Sequence, residues 1–176
     1  MEVMVTISIA AILLGVAIPS FTSIIASNRL TTYANEWVTA LNLARSEAIK
    51  RGVQVTIRRK GANSSHWENG WDVFVDINGN GLLDDTNSTP CETNVNGSLK
   101  EDCLLRTYDA LPSGFTLLSG VSEHQDYLAY LPSGLSNVIV SDTFRLCSGT
   151  DNTLSRAITV NAVGRFQVTT ATISCP

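Results

Sequence analysis

Two hydrophobic patterns of helical type follow one another from the start of the chain with no breaker between them. Val3–Ser27 is a run of 25 residues without a charge. About 20 apolar residues are enough to cross a bilayer as a helix. The Ser and Thr hydroxyls in the run can bond back to the helix backbone. Pro19 has no amide to donate and predicts a kink or a locally melted turn near Gly15 and Val16. From Leu30 onward the pattern becomes amphipathic. Leu30, Ala34, Trp37, Leu41, Ala44 and Ala48 recur at alternating spacings of four and three, and Tyr33, Val38 and Leu43 widen the stripe. Arg29, Asn35, Glu36, Asn42 and Lys50 fall mostly off that face. Gly52 supplies the stop, after Lys50 and Arg51 in the last turn. The helix would span roughly 50 residues, or about 75 Å.

After Gly52 the period changes to two. Strands are predicted at 53–59, 71–76, Leu104–Tyr108, Phe115–Leu118, Tyr127–Leu131, Asn137–Val140, Thr143–Cys147, Ala157–Asn161, Arg165–Thr169 and Ala171–Cys175. Asn, Gly and Pro clusters mark the turns between them. No second long helical pattern follows, so an antiparallel arrangement is predicted over a βαβ one. The predicted fold class is α+β. A long N-terminal α-helix, hydrophobic in its first half and amphipathic in its second, packs on an antiparallel β-sheet or β-sandwich head. Three segments result: residues 1–28, the transmembrane or filament-core half of the helix; 29–52, its amphipathic half; and 53–176, the globular head.

Charge follows the same division. Residues 29–60 carry seven Lys or Arg against two Glu, and residues 61–176 carry five basic against thirteen acidic side chains. The net charge of −4 argues against a protein built mainly to coat nucleic acid. Four cysteines, Cys91, Cys103, Cys147 and Cys175, all lie in the head. An even count in an exported domain points to disulfides. Three pairings are open. The favoured one joins Cys91 to Cys103 across a short loop and Cys147 to Cys175, and a loop of the smaller size contributes on the order of 3 kcal/mol.

The uncharged run has three readings: a cleaved signal peptide, a plain membrane anchor, or an anchor that later becomes the core of a filament. The first is disfavoured by the acidic start, the length of the run and the missing small-residue cleavage site. Glu2 favours the third, because an acid at the head of an apolar helix is costly in lipid unless a partner neutralises it.

Glu2-Val-Met-Val-Thr, the uncharged run, Pro19 and the amphipathic continuation resemble the N-terminus of type IV pilins and type II secretion pseudopilins. Residues 41–57, the Gly70-Trp71-x-Val-Phe-x-Asp76 segment, LPSG at 131–134, FRLCSG at 144–149 and RAITVNAVGRF at 156–166 are similar to the GspH/FimT group of minor pilins and H-type pseudopilins. The resemblance implies a minor pilin, a non-enzymatic subunit that primes assembly of a type IV pilus or sits near its tip. The alternatives are an H-type pseudopilin of type II secretion and a pilus-associated DNA receptor. The resemblance implies the major pilin, other minor pilins and an inner-membrane assembly platform as partners. It implies a single pass through the inner membrane with a periplasmic head, then an extracellular fibre. Glu2 and Pro19 would be the assembly residues, with Glu2 meeting the N-terminal amine of a neighbouring subunit. Prepilin peptidase would be a further partner if a basic leader ending in Gly lies upstream of Met1.

Other constellations compete with these. Asp76, Asn78, Asn80 and Asp84 follow the spacing of a calcium loop, but position twelve is Asn87, and turn chemistry explains the same residues. Calcium is the one cofactor considered; otherwise none is expected. Arg58, Arg59, Lys60 and Arg165 could touch DNA phosphates. The related DNA receptors carry Gly-Arg-x-Arg near the C-terminus, whereas this chain reads Gly164-Arg165-Phe166-Gln167, which argues against DNA as a partner. Ser122, His124 and Asp126 are close in sequence, yet a catalytic triad is defined by geometry, so no enzyme is expected.

Overall fold

The computed structural model of the protein describes residues 2–84, 91–149, 154–170 and 173–175, with the backbone alone at 2, 10 and 14–22. Helix α1 runs from Glu2 to Arg51. The strands are β1 (Val55–Arg59), β2 (Trp71–Val75), β3 (Cys103–Tyr108), β4 (Phe115–Leu118), β5 (Tyr127–Tyr130), β6 (Asp142–Ser148), β7 (Ser155–Val160) and β8 (Phe166–Thr169). They form two antiparallel four-stranded sheets, in the orders β3-β2-β1-β5 and β4-β6-β7-β8. The second half of α1 packs on β1, β2 and β5 of one sheet and on β6 and β7 of the other.

The stripe predicted from spacing is the face that packs. Leu30, Ala34, Trp37, Leu41, Ala44 and Ala48 are buried, and Ala40 joins them. Tyr33, Val38 and Leu43 pack partly against the same core. The alanines let the helix approach the sheets closely. Trp37 then fills the space where the two sheets meet. Its ring lies 4.9 Å, centroid to centroid, from each of Trp67, Trp71 and Phe144, the first two edge-on. Edge-on aromatic pairs add to what area burial alone supplies.

Three sequence expectations need correction. The helix is continuous through Pro19, so no melted turn forms there. Asn137–Val140 is not a strand. Ser136 bridges to Tyr130, and Asn137 exchanges two bonds with Ala129: its amide donates to the Ala129 carbonyl and its side chain accepts from the Ala129 amide. The chain then leaves the sheet, with Ile139 exposed. Nor is residues 173–175 a strand: Ile173 donates to the Ser155 hydroxyl, and the segment is held by its disulfide. Residues 171 and 172, and Asn87 of the predicted calcium loop, lie outside the described residues.

Cys91 is bonded to Cys103 and Cys147 to Cys175. The first ties the 91–100 segment to the start of β3. The second fastens the C-terminal tail to the middle of the second sheet.

The turn before β8 depends on a glycine. Gly164 has φ +73°, and a Cβ there would stand 2.6 Å from the Gly134 carbonyl and 2.8 Å from the Tyr130 ring. Its carbonyl accepts bonds from Arg45 Nη1 and the Tyr130 hydroxyl. Burial pushes the Tyr130 phenol up to about 12. The C-terminal strand is thereby latched onto the helix.

Candidate assembly surface and other sites

Among the described side chains, those of large hydrophobic residues in the first half of α1 are bare. Val3, Met4, Val5, Ile7, Ile9, Ile12, Leu13, Ile24 and Ile25 are each at least half exposed. The first few polar groups there are satisfied within the helix. Thr6 Oγ1 donates to the Val3 carbonyl at 2.9 Å and Ser8 Oγ to the Met4 carbonyl at 2.7 Å. A helix that is apolar all round is stable only when something apolar covers it. Among the described residues, no helix is long and apolar enough to cross a membrane. The side chains of Glu2 and Pro19 lie outside the described residues.

The predicted calcium residues do share one loop, where they bond to each other and to the backbone. Asp76 is fully buried. Its Oδ1 accepts from the amides of Gly79 and Asn80, and its Oδ2 accepts from the Gly81 amide, the Thr56 hydroxyl and the Gln54 amide group. Asn78 and Asn80 donate to Asp84. A residue the sequence did not single out completes the loop. Asp102, buried beside Cys103, accepts from the amides of Ile77 and Asp84. No sequence spacing signals it, because it reaches the loop only through the β2–β3 pairing. Among the described residues, no group of three or more His, Cys, Asp or Glu side chains is placed to hold a metal ion. Asp76→Ala orphans several buried donors at once, so it is expected to cost about 2–4 kcal/mol, read as a lowered midpoint in chemical denaturation.

The basic group is taken up by partners within the chain. Arg59 pairs with Asp126 and donates to the carbonyls of Gln125 and Gly61. Lys60 pairs with Asp72 at 3.2 Å, and Arg58 donates to the Gly81 carbonyl. Lys50 and Arg51 pair with Glu47. Arg165 is exposed and precedes β8 in the other sheet, so the structure does not join it to the β1 cations.

The sequence trio of Ser122, His124 and Asp126 is not brought together as a triad. Ser122 donates to Glu123, and Asp126 is taken by Arg59 and Ser64. His124 is fully buried, with Nδ1 3.3 Å from Asp142 Oδ2. Its site opens to no substrate.

Two carboxylates titrate in opposite senses. The hydrogen bond from Arg59 holds Asp126 below its ordinary value, helped by Ser64 and nearby cations against partial burial. Burial raises Asp102, with the charges of Asp76 and Asp84 adding to it and two backbone amides opposing it. A lowered carboxyl stabilises the fold above its unfolded pKa and loses that contribution as pH falls through its folded value. A raised one does the reverse: its cost is relieved as pH falls through the raised value. Melting temperature measured from neutral pH down to about pH 3 is therefore expected to fall less steeply at the acid end in Asp126→Asn. Asp102→Asn is expected to remove a rise that sets in at higher pH.

The architecture is that of a pilin-type subunit: a rod, half bare and half embedded, carrying a disulfide-bonded β head. The chain belongs to the family described as Type II transport protein GspH, whose family model matches residues 33–164. Its fold is shared with the type IV minor pilin FimU of Pseudomonas aeruginosa (strain PAO1), at 22% identity and a TM-score of 0.59, over 81% of this chain and 89% of that one. It is shared too with the minor pseudopilin EpsH from the type 2 secretion system of Vibrio cholerae, at 15% identity and a TM-score of 0.53, over 80% and 95% of the two chains. No curated protein matches it. The family is one of structural subunits that associate with other pilins in a pilus or pseudopilus, as part of the pilus and secretion machinery of the cell envelope.

Proposed function

We propose that the chain is a minor pilin, a structural subunit that primes assembly of a type IV pilus or sits near its tip. The observation that carries this is the bare apolar half of α1, which continues without a break into the buried stripe of the head. Before assembly that half would cross the inner membrane, leaving the head in the periplasm, where its disulfides form. During assembly it would move into a bundle of similar rods. The 25 uncharged residues from Val3 to Ser27 support the membrane stage. The partners are the major pilin, other minor pilins and the inner-membrane assembly platform, and prepilin peptidase if a leader lies upstream.

A second reading, the H-type pseudopilin of type II secretion, is favoured by the family description and by the likeness to EpsH. One experiment separates the two. A deletion strain is scored for twitching and for secretion of exoproteins. The minor-pilin reading expects twitching to fail with secretion intact, and the pseudopilin reading expects the converse.

A further inference from the structure

Four Asn-Gly pairs stand in the chain: Asn69-Gly70, Asn78-Gly79, Asn80-Gly81 and Asn96-Gly97. Such a pair can react with itself. The amide nitrogen of the glycine attacks the asparagine side-chain carbon, and no Cβ on the second residue stands in the way. The fold closes all but the last to this reaction. Gly70 is buried, its amide donates to the Trp67 carbonyl at 3.1 Å, and the Tyr108 carbonyl lies 2.5 Å from where a Cβ would stand. The Gly79 and Gly81 amides donate to the two oxygens of the buried Asp76 carboxylate, at 2.7 and 2.9 Å. The side-chain amides of Asn78 and Asn80 donate to Asp84 at 2.8 and 2.7 Å. Nucleophile and leaving group are therefore both tied down in that loop.

Asn96-Gly97 is placed differently. It forms the tip of a ribbon that the Cys91–Cys103 disulfide closes at its base. Thr93 bridges to Leu99, the Asn94 amide donates to the Ser98 carbonyl, and the Lys100 amide donates to the Glu92 carbonyl. Asn96, Gly97 and Ser98 are exposed, and the space around Gly97 is open. The Gly97 amide is held only by the Asn94 carbonyl, 2.9 Å away in the same turn. The Asn96 side chain is set up for attack. Its Oδ1 accepts from the Ser98 amide at 3.1 Å and from the Ser98 hydroxyl at 2.7 Å. The Asn94 side-chain amide donates to that hydroxyl at 3.0 Å, which leaves the hydroxyl proton for Asn96. Two donors on one carbonyl oxygen stabilise the negative charge that collects there as a nucleophile adds to the carbon. The Asn96 Nδ2, the group that would leave, has no partner among the described residues.

We propose that Asn96 is a site of spontaneous deamidation, with Ser98 as the residue that promotes it. Solvent hydroxide takes the Gly97 N–H proton as the turn opens. The nitrogen then bonds to Asn96 Cγ, the Cγ–Nδ2 bond breaks, and Nδ2 leaves as ammonia with a proton from water. A cyclic imide results. Water adds to either of the ring carbonyls and opens it, giving aspartate or isoaspartate at this position. Aspartate adds a negative charge at the ribbon tip. Isoaspartate also routes the main chain through the side-chain carbon, which lengthens it by a methylene and displaces Gly97 and Ser98. Those residues line a depression of about 430 Å³ between the ribbon and Arg51, Val53 and Ile77. The modification therefore reshapes the surface of the head beside the C-terminal end of α1. The site is independent of the pilin reading.

The test uses the full-length chain in detergent, held in a mildly alkaline buffer and sampled over days. Each sample is digested and mapped by mass spectrometry, with aspartate and isoaspartate peptides separated by chromatography. The same chain unfolded in guanidinium chloride, its disulfides intact, gives a reference rate for each Asn-Gly pair. Asn96 is expected to convert in the folded chain at least as fast as in the unfolded one. Asn69, Asn78 and Asn80 are expected to convert at least several-fold more slowly folded than unfolded. Ser98→Ala is expected to slow Asn96 several-fold in the folded chain only, and Ser98→Thr to retain most of the rate, with both variants melting as the wild type does. Slower conversion of Asn96 folded than unfolded would mean that the tip shields it, and the assignment would fail. A Ser98→Ala chain that converts as fast as the wild type, or faster, would remove Ser98 from the reaction. Asn78 or Asn80 converting as fast folded as unfolded would overturn the protection assigned to Asp76.

Discussion

Replacing Trp37 by alanine is expected to destabilise the head by about 3–5 kcal/mol, the range for truncating a large buried aromatic side chain. Trp37 is fully buried and is in ring contact with Trp67, Trp71 and Phe144. Those partners belong to β2, β6 and the β1–β2 connection, so the ring joins both sheets to the helix. A cavity there cannot be closed by moving one element. The loss is comparable to the whole stability of many domains of this size. The variant is therefore expected to accumulate poorly in cells. Chemical denaturation followed by tryptophan fluorescence measures the loss directly. Trp37→Phe keeps the hydrophobic role with a smaller ring and is expected to lose much less. A Trp37→Ala chain as stable as the wild type would mean that the helix is not the element joining the sheets.

Glu2→Leu is expected to leave membrane insertion intact and to reduce incorporation into fibres by about tenfold or more, since about 1.4 kcal/mol already corresponds to tenfold. The resemblance to pilins implies that the Glu2 carboxylate neutralises the N-terminal amine of a neighbouring subunit within the apolar bundle. Removing one member of a buried ion pair costs about 3–5 kcal/mol because the other is stranded. Insertion has no such requirement, and a leucine suits lipid better than a carboxylate. Fractionation reports the first step, and quantitative mass spectrometry of sheared fibres reports the second. Normal incorporation of the variant would remove Glu2 from the assembly mechanism.

The helix was legible in the sequence because its signal is local. Spacings of four and three identify the face of Leu30 through Ala48, and that face is buried. Most strands were legible for the same reason, since alternation survives in short segments such as Trp71–Val75. Asn137–Val140 misled because its residues favour strands, whereas the pairing ends at Asn137, whose side chain caps Ala129. At Pro19 the helix runs on unbroken, so the locally melted turn does not form there.

The sites were less legible because they depend on contacts between distant segments. Sequence placed Asp76, Asn78, Asn80 and Asp84 in one loop, but not Asp102, which anchors that loop from the residue before β3. It grouped Arg58, Arg59 and Lys60 as cations that could touch phosphates, whereas Asp126, Asp72 and backbone carbonyls already hold them. It set His124 beside Ser122 and Asp126, whereas the fold gives it Asp142.

The central claim is that the bare half of α1 is covered by the helices of other pilins once the chain leaves the membrane. The most direct measurement is crosslinking from Ile12 in whole cells, compared between a strain assembling fibres and one lacking the assembly machinery. The account predicts an adduct with a pilin subunit that appears only in the assembling strain. An Ile12 position that reacts with lipid alone in both strains, while fibres form normally, would contradict it.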